Sequence, residues 1–403
     1  MKELLHTPEG VRDIYGKEYA RKQELKERFR RIFGCFGYQG IQTPSFEFFD
    51  IFNRERGSVA SRDMFKFFDR EGNTLVLRPD MTPAIARSAA KYYHREELPV
   101  RLFYIGNTFV NNSRYQGRLF ETTQAGAEQI GDASVEADAE MVAMAVSALK
   151  EAGLTEFQVD IGQVDFFNGL VEEAGLSQEV EDELRLRIEA KNFFSVEDYL
   201  QEQNLSPSLT NAFLRLPQLF GNTDCLSEAE TLTANPKSRR ALQRLRELYR
   251  ILTEYGVEPY ISFDLGMLGK YQYYTGLIFR IFTYGTGEPL GGGGRYDNLI
   301  KQFGQDAPAV GFSVSLDHLM LAMSRRQIEI PLAERPLLVA ADKEARDEAV
   351  RYVCRERSRG NKCLLYFREK KGELSPEEEK ELAARFACRQ VLLFPDSGKE
   401  ESR

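Results

Sequence analysis

Residues 101–128 constrain the fold of this chain more than any other stretch, and they read RLFYIGNTFVNNSRYQGRLFETTQAGAE. Aromatic and branched residues at both ends flank a turn-rich middle, in which Gly117 relaxes the backbone. This pattern predicts two antiparallel strands joined by a loop. Gln124 and Glu128 are four residues apart, so they lie on one face of the second strand and can enter a shared cavity. An ordinary hairpin with a polar exposed edge has the same pattern, so other segments have to decide.

The composition is that of an ordinary folded protein. The chain has 403 residues, enough for two or three domains of roughly 100–200 residues each. With 42% hydrophobic residues, a large core can form without disulfides or metals. The net charge of −8 argues against a dedicated nucleic-acid-binding protein, although a local basic patch is compatible with it. Five scattered Cys and three separated His predict reduced thiols and no metal site.

Two further features bear on location. The first ten residues, MKELLHTPEG, lack the apolar segment of a signal peptide. Apolar runs in the chain stay well below the roughly 18 residues that a membrane-spanning helix needs. We therefore expect a cytoplasmic protein without a membrane span.

Periodicity along the chain predicts an α+β protein in three parts. We expect a core over residues 1–325 with a helical insertion at about 166–256, a linker at 326–335, and a small βαβαβ domain over 336–403. Core helices are predicted over 17–36, 84–93, 134–151 and 316–323. Core strands are predicted over 41–47, 65–68, 75–77, 157–161, 260–264, 277–284 and 309–314.

Two local patterns carry more specific predictions. Thr82 followed by Pro83 fits the N-cap and first position of the second helix. The glycine run 291–294 predicts a flexible turn or a close backbone approach. It lacks the GK[ST] ending that a phosphate-binding loop requires.

Four segments could line one pocket, namely 78–82, 101–128, 272–276 and 291–297. Hydrogen-bond acceptors and aromatic walls within them are Asp80, Gln124, Glu128, Tyr273 and Tyr274. The ammonium of an amino acid needs carboxylate and amide oxygens around it, and an imidazole needs hydrogen-bond partners and flat neighbours. The set therefore suits histidine. Taken singly, each segment also has an ordinary explanation, because aromatic pairs usually pack in cores.

The order of these motifs is more specific than any one of them. RPDxTP, QGR with TTQxGxE, YYTG, GGGGRYDNLI and PAVGF resemble, over residues 7–323, the catalytic core of a class II histidyl-tRNA synthetase. The resemblance implies an antiparallel sheet flanked by helices, in a protein that is usually dimeric. It also implies a histidine-binding role for the matching positions, which are Asp80, Thr82, Gln124, Glu128, Tyr273 and Tyr274, with Arg118 as a further pocket residue.

The residues that bind ATP in the synthetase family are not present at the matching positions of this sequence. Where the family has Phe-Arg-x-Glu, the arginine is Val110 and the glutamate is Asn112. An adenylation arginine is replaced by Gly269, with Lys270 beside it, and the aspartate before the tyrosines is Gln272. The Glu-Arg pair that begins the last helix is here Asp317-His318. Each lost electrostatic contact costs roughly 10²–10³ in rate, so three lost arginines should abolish adenylation.

A pocket that keeps histidine contacts and loses ATP contacts resembles the regulatory subunit of ATP phosphoribosyltransferase, and the opening TPEGVRD is similar to that family. The resemblance implies a non-catalytic protein without a cofactor that is required for the first step of histidine biosynthesis. It implies a dimer that joins a short-form catalytic subunit in a hetero-octamer, activates that subunit and mediates feedback inhibition by L-histidine. The short, charge-balanced C-terminal domain predicts that tRNA is not bound.

Three alternatives stay open at this point. An active histidyl-tRNA synthetase is the first. A paralogue that modifies another amino acid or a protein is the second, although it too would need the missing ATP-binding arginines. A structural scaffold whose pocket binds nothing is the third.

Overall fold

The computed structural model describes residues 5–52, 59–112, 119–269, 274–332, 334–369 and 372–394. By its internal contacts the chain divides into two compact units, residues 1–330 and residues 331–403. The first unit contains the long hairpin and the segments that were expected to line a pocket.

Helices and strands are numbered in chain order. The helices are α1 (Gly16–Cys35), α2 (Thr82–Tyr92), α3 (Val135–Ala152), α4 (Val164–Ala174), α5 (Gln178–Glu189), α6 (Phe193–Gln201), α7 (Pro207–Arg215), α8 (Asp224–Thr231), α9 (Pro236–Glu254), α10 (Leu316–Arg325), α11 (Arg346–Ser358) and α12 (Pro376–Arg385). The strands are β1 (Gln39–Gly40), β2 (Phe46–Phe48), β3 (Lys66–Phe68), β4 (Thr74–Leu77), β5 (Val100–Phe109), β6 (Glu121–Ile130), β7 (Phe157–Gln163), β8 (Phe220–Gly221), β9 (Ile261–Asp264), β10 (Leu277–Thr283), β11 (Gly291–Arg295), β12 (Ala309–Ser315), β13 (Leu337–Ala341), β14 (Cys363–Phe367) and β15 (Gln390–Phe394).

The main sheet of the described residues has the strand order β1-β5-β6-β12-β11-β10-β7-β9-β8. Its centre is antiparallel, and the predicted hairpin is confirmed because β5 and β6 pair from Val100 with Ile130 to Phe109 with Glu121. The sequence predicts an antiparallel sheet, and the structure adds two parallel pairs outside this centre. Strand β1 runs parallel to β5, and β9 runs parallel to β7.

One face of the sheet is buried under helices. Ala125 and Ala127 of β6 and Phe312 of β12 belong to the same apolar core as α3. Helix α3 is apolar around most of its circumference because it lies in the middle of this core. The Ser134 side chain accepts a hydrogen bond from the Ala137 N–H at its start, and Gly153 ends it in the left-handed region at φ +100°. The other face of the sheet is therefore left for the polar residues of β6.

Helices α4 to α9 form the helical insertion that the sequence predicts between β7 and β9. Its longest helix, α9, packs on both α3 and α4 through Leu242, Leu245, Leu248 and Leu252. These residues recur at the spacing of one helical face. The insertion and the sheet thus share one core.

Two predictions at the start of the chain were wrong. Residues 41–47 do not form one strand: β1 ends at Gly40 and β2 begins at Phe46, with Pro44 between them. Thr82 is the first residue of α2 rather than its N-cap; that position falls to Met81, which makes no side-chain cap. The Thr82 hydroxyl instead hydrogen-bonds a glutamate of the main sheet.

The glycine run was expected to be a turn or a close backbone approach. It is strand β11, between β10 and β12 in the middle of the sheet. Close approach is nevertheless what the glycines permit. A Cβ on Gly294 would lie 2.7 Å from a ring carbon of Tyr274, and one on Gly293 would lie 2.6 Å from the Phe312 Cβ. Glycine is the residue that fits here, although it weakens strands in general.

The second unit has the predicted βαβαβ order. Its three strands are parallel in the order β14-β13-β15, with apolar side chains of α11 on one face and of α12 on the other. Helices α11 and α12 thus cover the two faces of this small sheet, as is usual for a parallel sheet. In the described part of the chain, no helix is long and apolar enough to cross a membrane.

Candidate functional site

The candidate site lies on the polar face of the main sheet. Along β6, Ala125 and Ala127 point into the core, so Gln124, Gly126 and Glu128 point to the opposite face. The sequence prediction that Gln124 and Glu128 share a face is therefore confirmed. The residues beside them in the paired strands are Leu102, Tyr104, Gly106, Gly311, Ser313 and Ser315.

Glycines on this face make room for larger side chains. A Cβ on Gly311 would collide with the Glu128 carboxylate, and a Cβ on Gly126 would lie 2.5 Å from the Tyr104 hydroxyl oxygen. On Gly106 it would lie 2.8 Å from an Arg78 guanidinium nitrogen. The space that the larger side chains occupy on this face therefore exists because the neighbouring residues are glycines.

Glu128 is the most buried acid of the site, with 1% of its surface exposed. Its carboxylate accepts hydrogen bonds from the Thr82 hydroxyl at 2.7 Å and from the Tyr296 hydroxyl. Burial raises the pKa of Glu128 to about 8, the two hydrogen bonds oppose that rise, and the nearby charge of Asp80 adds to it. A positively charged ligand would stabilise the ionised form.

Gln124 presents a second acceptor. Its amide oxygen is buried, and no hydrogen-bond donor among the described residues reaches it. A buried acceptor without a donor is costly, so such atoms in native proteins usually have a reason. A ligand that brings an N–H group to this face would satisfy it.

Asp80 lies in the turn before α2, and Thr82 is the first residue of α2; both reach the site. The Thr82 N–H lies 3.3 Å from an Asp80 carboxylate oxygen, and the Thr82 side chain points at Glu128. Arg78 holds this turn against the sheet, because its guanidinium donates to the carbonyls of Asn107 and Thr43, each at 2.7 Å. The buried cation is thus used to position backbone rather than to face a ligand.

Of the two tyrosines that were predicted to form an aromatic wall, Tyr274 is the one among the described residues. It packs beside Val164, Met267 and Ile278. Burial raises its pKa, with a further contribution from the charges of Asp80 and Glu128, so its hydroxyl stays protonated. Tyr273 and Arg118, together with Lys270 and Gln272, lie outside the described residues.

Sequence reasoning missed two tyrosines of this site. Tyr104 is buried on the strand next to Gly126, and Tyr296 donates to Glu128. Tyr104 could have been found from strand parity, since it pairs with Gly126 on the same face as Gln124. Tyr296 belongs to the GGGGRYD motif, but a contact across 168 residues of sequence leaves no local signal.

The positions at which the sequence predicts lost ATP-binding residues have structural roles in this fold. The Val110 N–H donates to the Phe120 carbonyl at 2.8 Å, and the Asn112 amide donates to the Leu119 carbonyl at 3.0 Å, so both close the base of the hairpin loop. Gly269 is in the left-handed region at φ +78°. The His318 N–H is capped by the Ser315 hydroxyl.

Asp317, before His318, points away from the site. Its carboxylate accepts from the Lys22 ammonium at 2.7 Å and from the Thr123 N–H at 2.6 Å. Both side chains of this ion pair are largely buried, at 9% and 6% exposure. The start of α10 therefore joins α1 to β6 in this chain.

Comparisons with known proteins show the family to which the chain belongs. The family model described as histidyl-tRNA synthetase matches residues 10–319. The ATP phosphoribosyltransferase regulatory subunit of Acetivibrio thermocellus is 44% identical over 345 residues, which cover 86% of this chain and 82% of that protein. Its namesake from Clostridium novyi is 32% identical over 394 residues, covering 97% and 92%.

Solved structures give the same result. A Bacillus halodurans protein described as an ATP phosphoribosyltransferase regulatory subunit/histidyl-tRNA synthetase has a TM-score of 0.86 and 31% identity, covering 97% of this chain and 98% of that one. Histidyl-tRNA synthetase from Nostoc has a TM-score of 0.79 at 18% identity, covering 96% and 90%, and so shows the fold alone. The predicted class II synthetase-like α+β fold is confirmed. The chain belongs to the family of ATP phosphoribosyltransferase regulatory subunits, within the histidyl-tRNA synthetase-like proteins.

Proposed function

We propose that this protein is a non-catalytic regulatory subunit that binds L-histidine and controls a separate ATP phosphoribosyltransferase catalytic subunit. Curated relatives at 44% and 42% identity carry the name ATP phosphoribosyltransferase regulatory subunit, which supports a role in histidine biosynthesis. We further propose that histidine is the feedback signal and that the protein activates its partner in the first step of that pathway.

The observation that carries this proposal is the pair of buried acceptors on one face of β6. Glu128 offers a carboxylate, and Gln124 offers an amide oxygen that no donor among the described residues reaches. An α-ammonium can donate three hydrogen bonds, and its positive charge would stabilise the ionised carboxylate of Glu128. Free amino acids carry such an ammonium group and therefore meet this requirement.

Histidine is the amino acid that best fits the remaining groups. The proposed contacts are Asp80, Thr82, Gln124, Glu128, Tyr273 and Tyr274, with Arg118 as a further pocket residue. Asp80 and Glu128 supply negative charge for the ammonium, and the tyrosines supply flat, partly polar walls for an imidazole. The hydroxyl of Thr82 keeps Glu128 oriented.

The same site is poorly suited to ATP chemistry, which supports a non-catalytic role. Phosphoryl chemistry needs fixed cations aimed at the developing negative charge. Val110 and Gly269 carry no charge, Asn112 is tied to the hairpin base, and position 318 holds a histidine instead of an arginine. We propose that no adenylate is formed and that no cofactor is required.

The proposed assembly follows the family. The protein would form a dimer in the cytoplasm and join a short-form catalytic subunit in a hetero-octamer, without binding tRNA. Association with a catalytic partner is supported by the term regulatory subunit in the names of the relatives.

Calorimetry with L-histidine and the full-length protein is the first test. We expect saturable one-site binding that L-alanine does not reproduce, since alanine lacks the imidazole. Absence of histidine binding would refute the proposed pocket.

The second test is co-expression with the short-form catalytic subunit, followed by sizing and assay of ATP phosphoribosyl transfer. Higher transferase activity in the complex and its inhibition by histidine are the expected results.

An active histidyl-tRNA synthetase is the second candidate, because the matching family model is described by that name. Histidine-dependent exchange of pyrophosphate into ATP distinguishes the two. We expect no exchange above a control without protein. Robust exchange would favour the synthetase and overturn the non-catalytic proposal.

A further inference from the structure

A buried ion network begins at Arg295, the residue directly before Tyr296. Arg295 is 4% exposed and lies at the end of β11. Its Nε donates to Asp138 Oδ1 at 2.8 Å, and its Nη1 donates to the Asp132 carbonyl at 3.0 Å. Asp138 is 1% exposed and sits in the first turn of α3. The conspicuous arginine of the GGGGRYD motif thus points away from the site, into the helical layer.

The second oxygen of Asp138 is taken by the helical insertion. Arg244 of α9 donates to Asp138 Oδ2 from its Nε at 2.9 Å and from an Nη2 at 2.6 Å. The same Nη2 also reaches the carbonyls of Ala133 and Ser134, each at 2.9 Å. One buried carboxylate therefore joins a guanidinium from the sheet to a guanidinium from the insertion. Removing Arg244 would leave Asp138 Oδ2 without its guanidinium donor, whereas Oδ1 would keep Arg295. Removing Asp138 would deprive the buried Arg295 of its buried carboxylate partner.

This network ends one residue from the candidate site. Side chains alternate along an extended backbone, so Arg295 pointing into the helical layer directs Tyr296 to the opposite face. There the Tyr296 hydroxyl donates to Glu128. The backbone is fixed on both sides of this step, because the Arg295 carbonyl accepts from the Thr275 N–H and the Tyr296 N–H donates to the Ala309 carbonyl, each at 2.8 Å.

Asp297, which follows Tyr296, ties this part of the backbone to two neighbouring segments. Its carboxylate accepts from Arg295 Nη1 at 3.2 Å and from the Ala309 N–H at 3.1 Å. Its own N–H donates to the Thr275 hydroxyl at 3.0 Å, and Thr275 follows Tyr274 of the aromatic wall. A shift of Arg295 would therefore be transmitted to both tyrosines of the site.

We propose that Arg244 and Asp138 are positioning residues for the histidine site: through Arg295 they hold Tyr296 against Glu128, so that the helical insertion sets the affinity for histidine. This inference rests on the proposed histidine-binding function and deepens it. It assigns the insertion a part in regulation, since any partner that moves α9 would act on the pocket through this one carboxylate.

Helix α9 supplies a matched control for the test. Arg246 lies on the same helix and pairs with Glu230 at 2.7 Å, but both side chains of that ion pair are more than 40% exposed. Exposed pairs contribute little to stability. Arg244→Met and Arg246→Met thus remove the same group from one helix, with and without a connection to the site. Arg244→Lys keeps a positive charge beside Asp138 and serves where Arg244→Met does not fold.

The first measurement is histidine affinity of the full-length protein by calorimetry. We expect Arg244→Met to weaken binding about three- to tenfold, the effect of one poorly placed hydrogen bond, while Arg246→Met matches the parent. Arg244→Lys should fall between them. In a Tyr296→Phe background, which lacks the hydroxyl, Arg244→Met should add little further loss, because both changes act on the same contact.

The second measurement needs no ligand. The titration of Glu128 can be followed by its ¹³C-carboxyl resonance in Glu-labelled protein and assigned with Glu128→Gln. Loss of the Tyr296 hydrogen bond should raise the titration midpoint, and Arg244→Met should raise it in the same direction. A purely structural role for Arg244 would lower the melting temperature without moving this midpoint.

The outcomes separate the two proposals. If the parent binds histidine but Arg244→Met and Arg246→Met behave alike, or if Arg244→Met and Tyr296→Phe are fully additive, the positioning role is overturned. If the parent binds no histidine, the proposed function fails. In that case the Glu128 titration still decides whether Arg244 positions Tyr296.

Discussion

Binding of histidine should release a proton from Glu128. Burial raises the pKa of this carboxyl to about 8, so near pH 7 roughly nine-tenths of the unliganded protein carries it protonated. An α-ammonium beside the carboxyl favours its ionised form. Histidine that binds at pH 7 should therefore displace close to one proton.

The size of the effect follows from the same pKa. One pKa unit corresponds to about 1.4 kcal/mol, which is the free energy needed to ionise Glu128 at pH 7 before histidine binds. Between pH 7 and pH 8 the ionised fraction rises about fivefold, so the affinity should rise about fivefold as well. Glu128→Gln keeps the shape of the side chain and removes the ionisation. It should bind histidine more weakly and lose this pH dependence.

Calorimetry at pH 7 in two buffers with different heats of ionisation measures the proton release directly. We expect about one proton for the parent and close to none for Glu128→Gln. A parent that releases no proton, or a Glu128→Gln protein with the parent's affinity at pH 8, would refute the role given to this carboxylate.

The stability of the unliganded protein offers a second readout of the same group. Its folded pKa lies above the ordinary value of 4.5, so the folded state holds the extra proton between about pH 4.5 and 8. The stabilisation is complete below about pH 4.5, falls progressively as the pH rises, and is lost once the pH has passed the folded pKa of about 8. Between pH 6 and pH 8 the parent should lose about 2 kcal/mol relative to Glu128→Gln in denaturant unfolding.

Three further changes test the site. Gln124→Ala should weaken histidine binding by roughly 1–3 kcal/mol in calorimetry, because a ligand donor loses its acceptor. Gly311→Ala should lower the melting temperature sharply, because its methyl group would collide with the Glu128 carboxylate, whereas Gly287→Ala, with nothing within 4 Å, should not. Val110→Arg should leave histidine-dependent ATP–pyrophosphate exchange at the background of a control without protein, since other cations are also missing.

Each of these expectations has a clear contrary result. Unchanged histidine affinity in Gln124→Ala would remove that residue from the pocket. A Gly311→Ala protein as stable as Gly287→Ala would mean that Glu128 can move aside. Exchange activity in Val110→Arg would show that one arginine was the only missing part of the ATP site.

Periodicity made the hairpin and the pair on its second strand predictable. Aromatic and branched residues on both sides of a turn-rich segment are a local signal, and the four-residue spacing of Gln124 and Glu128 assigns them to one face without reference to any other segment. The small βαβαβ unit was predictable for the same reason, since each of its elements carries its own period. Predictions of this kind need only neighbours in sequence.

The errors occurred where distant contacts outweigh local preference. Thr82 is a favourable N-cap by residue type, but its hydroxyl donates to Glu128 instead. Glycine disfavours strands, yet β11 is a strand because its neighbours approach too closely for side chains. The pairing of Tyr296 with Glu128 joins residues 168 positions apart, which periodicity cannot detect.

The uninterrupted pairing of β5 with β6 has a consequence for how such a protein can change over time. A slip of one residue in β6 would turn Ala125 and Ala127 toward the ligand and bury Gln124 and Glu128 in the core, so insertions and deletions are barred within this strand. Val110 and Asn112 lie just beyond the last residue pair, Phe109 with Glu121, and they bond across the hairpin to the Phe120 and Leu119 carbonyls. Substitutions at these two positions leave the register of β6 unchanged, so they alter the chemistry of the hairpin without turning Gln124 and Glu128 into the core.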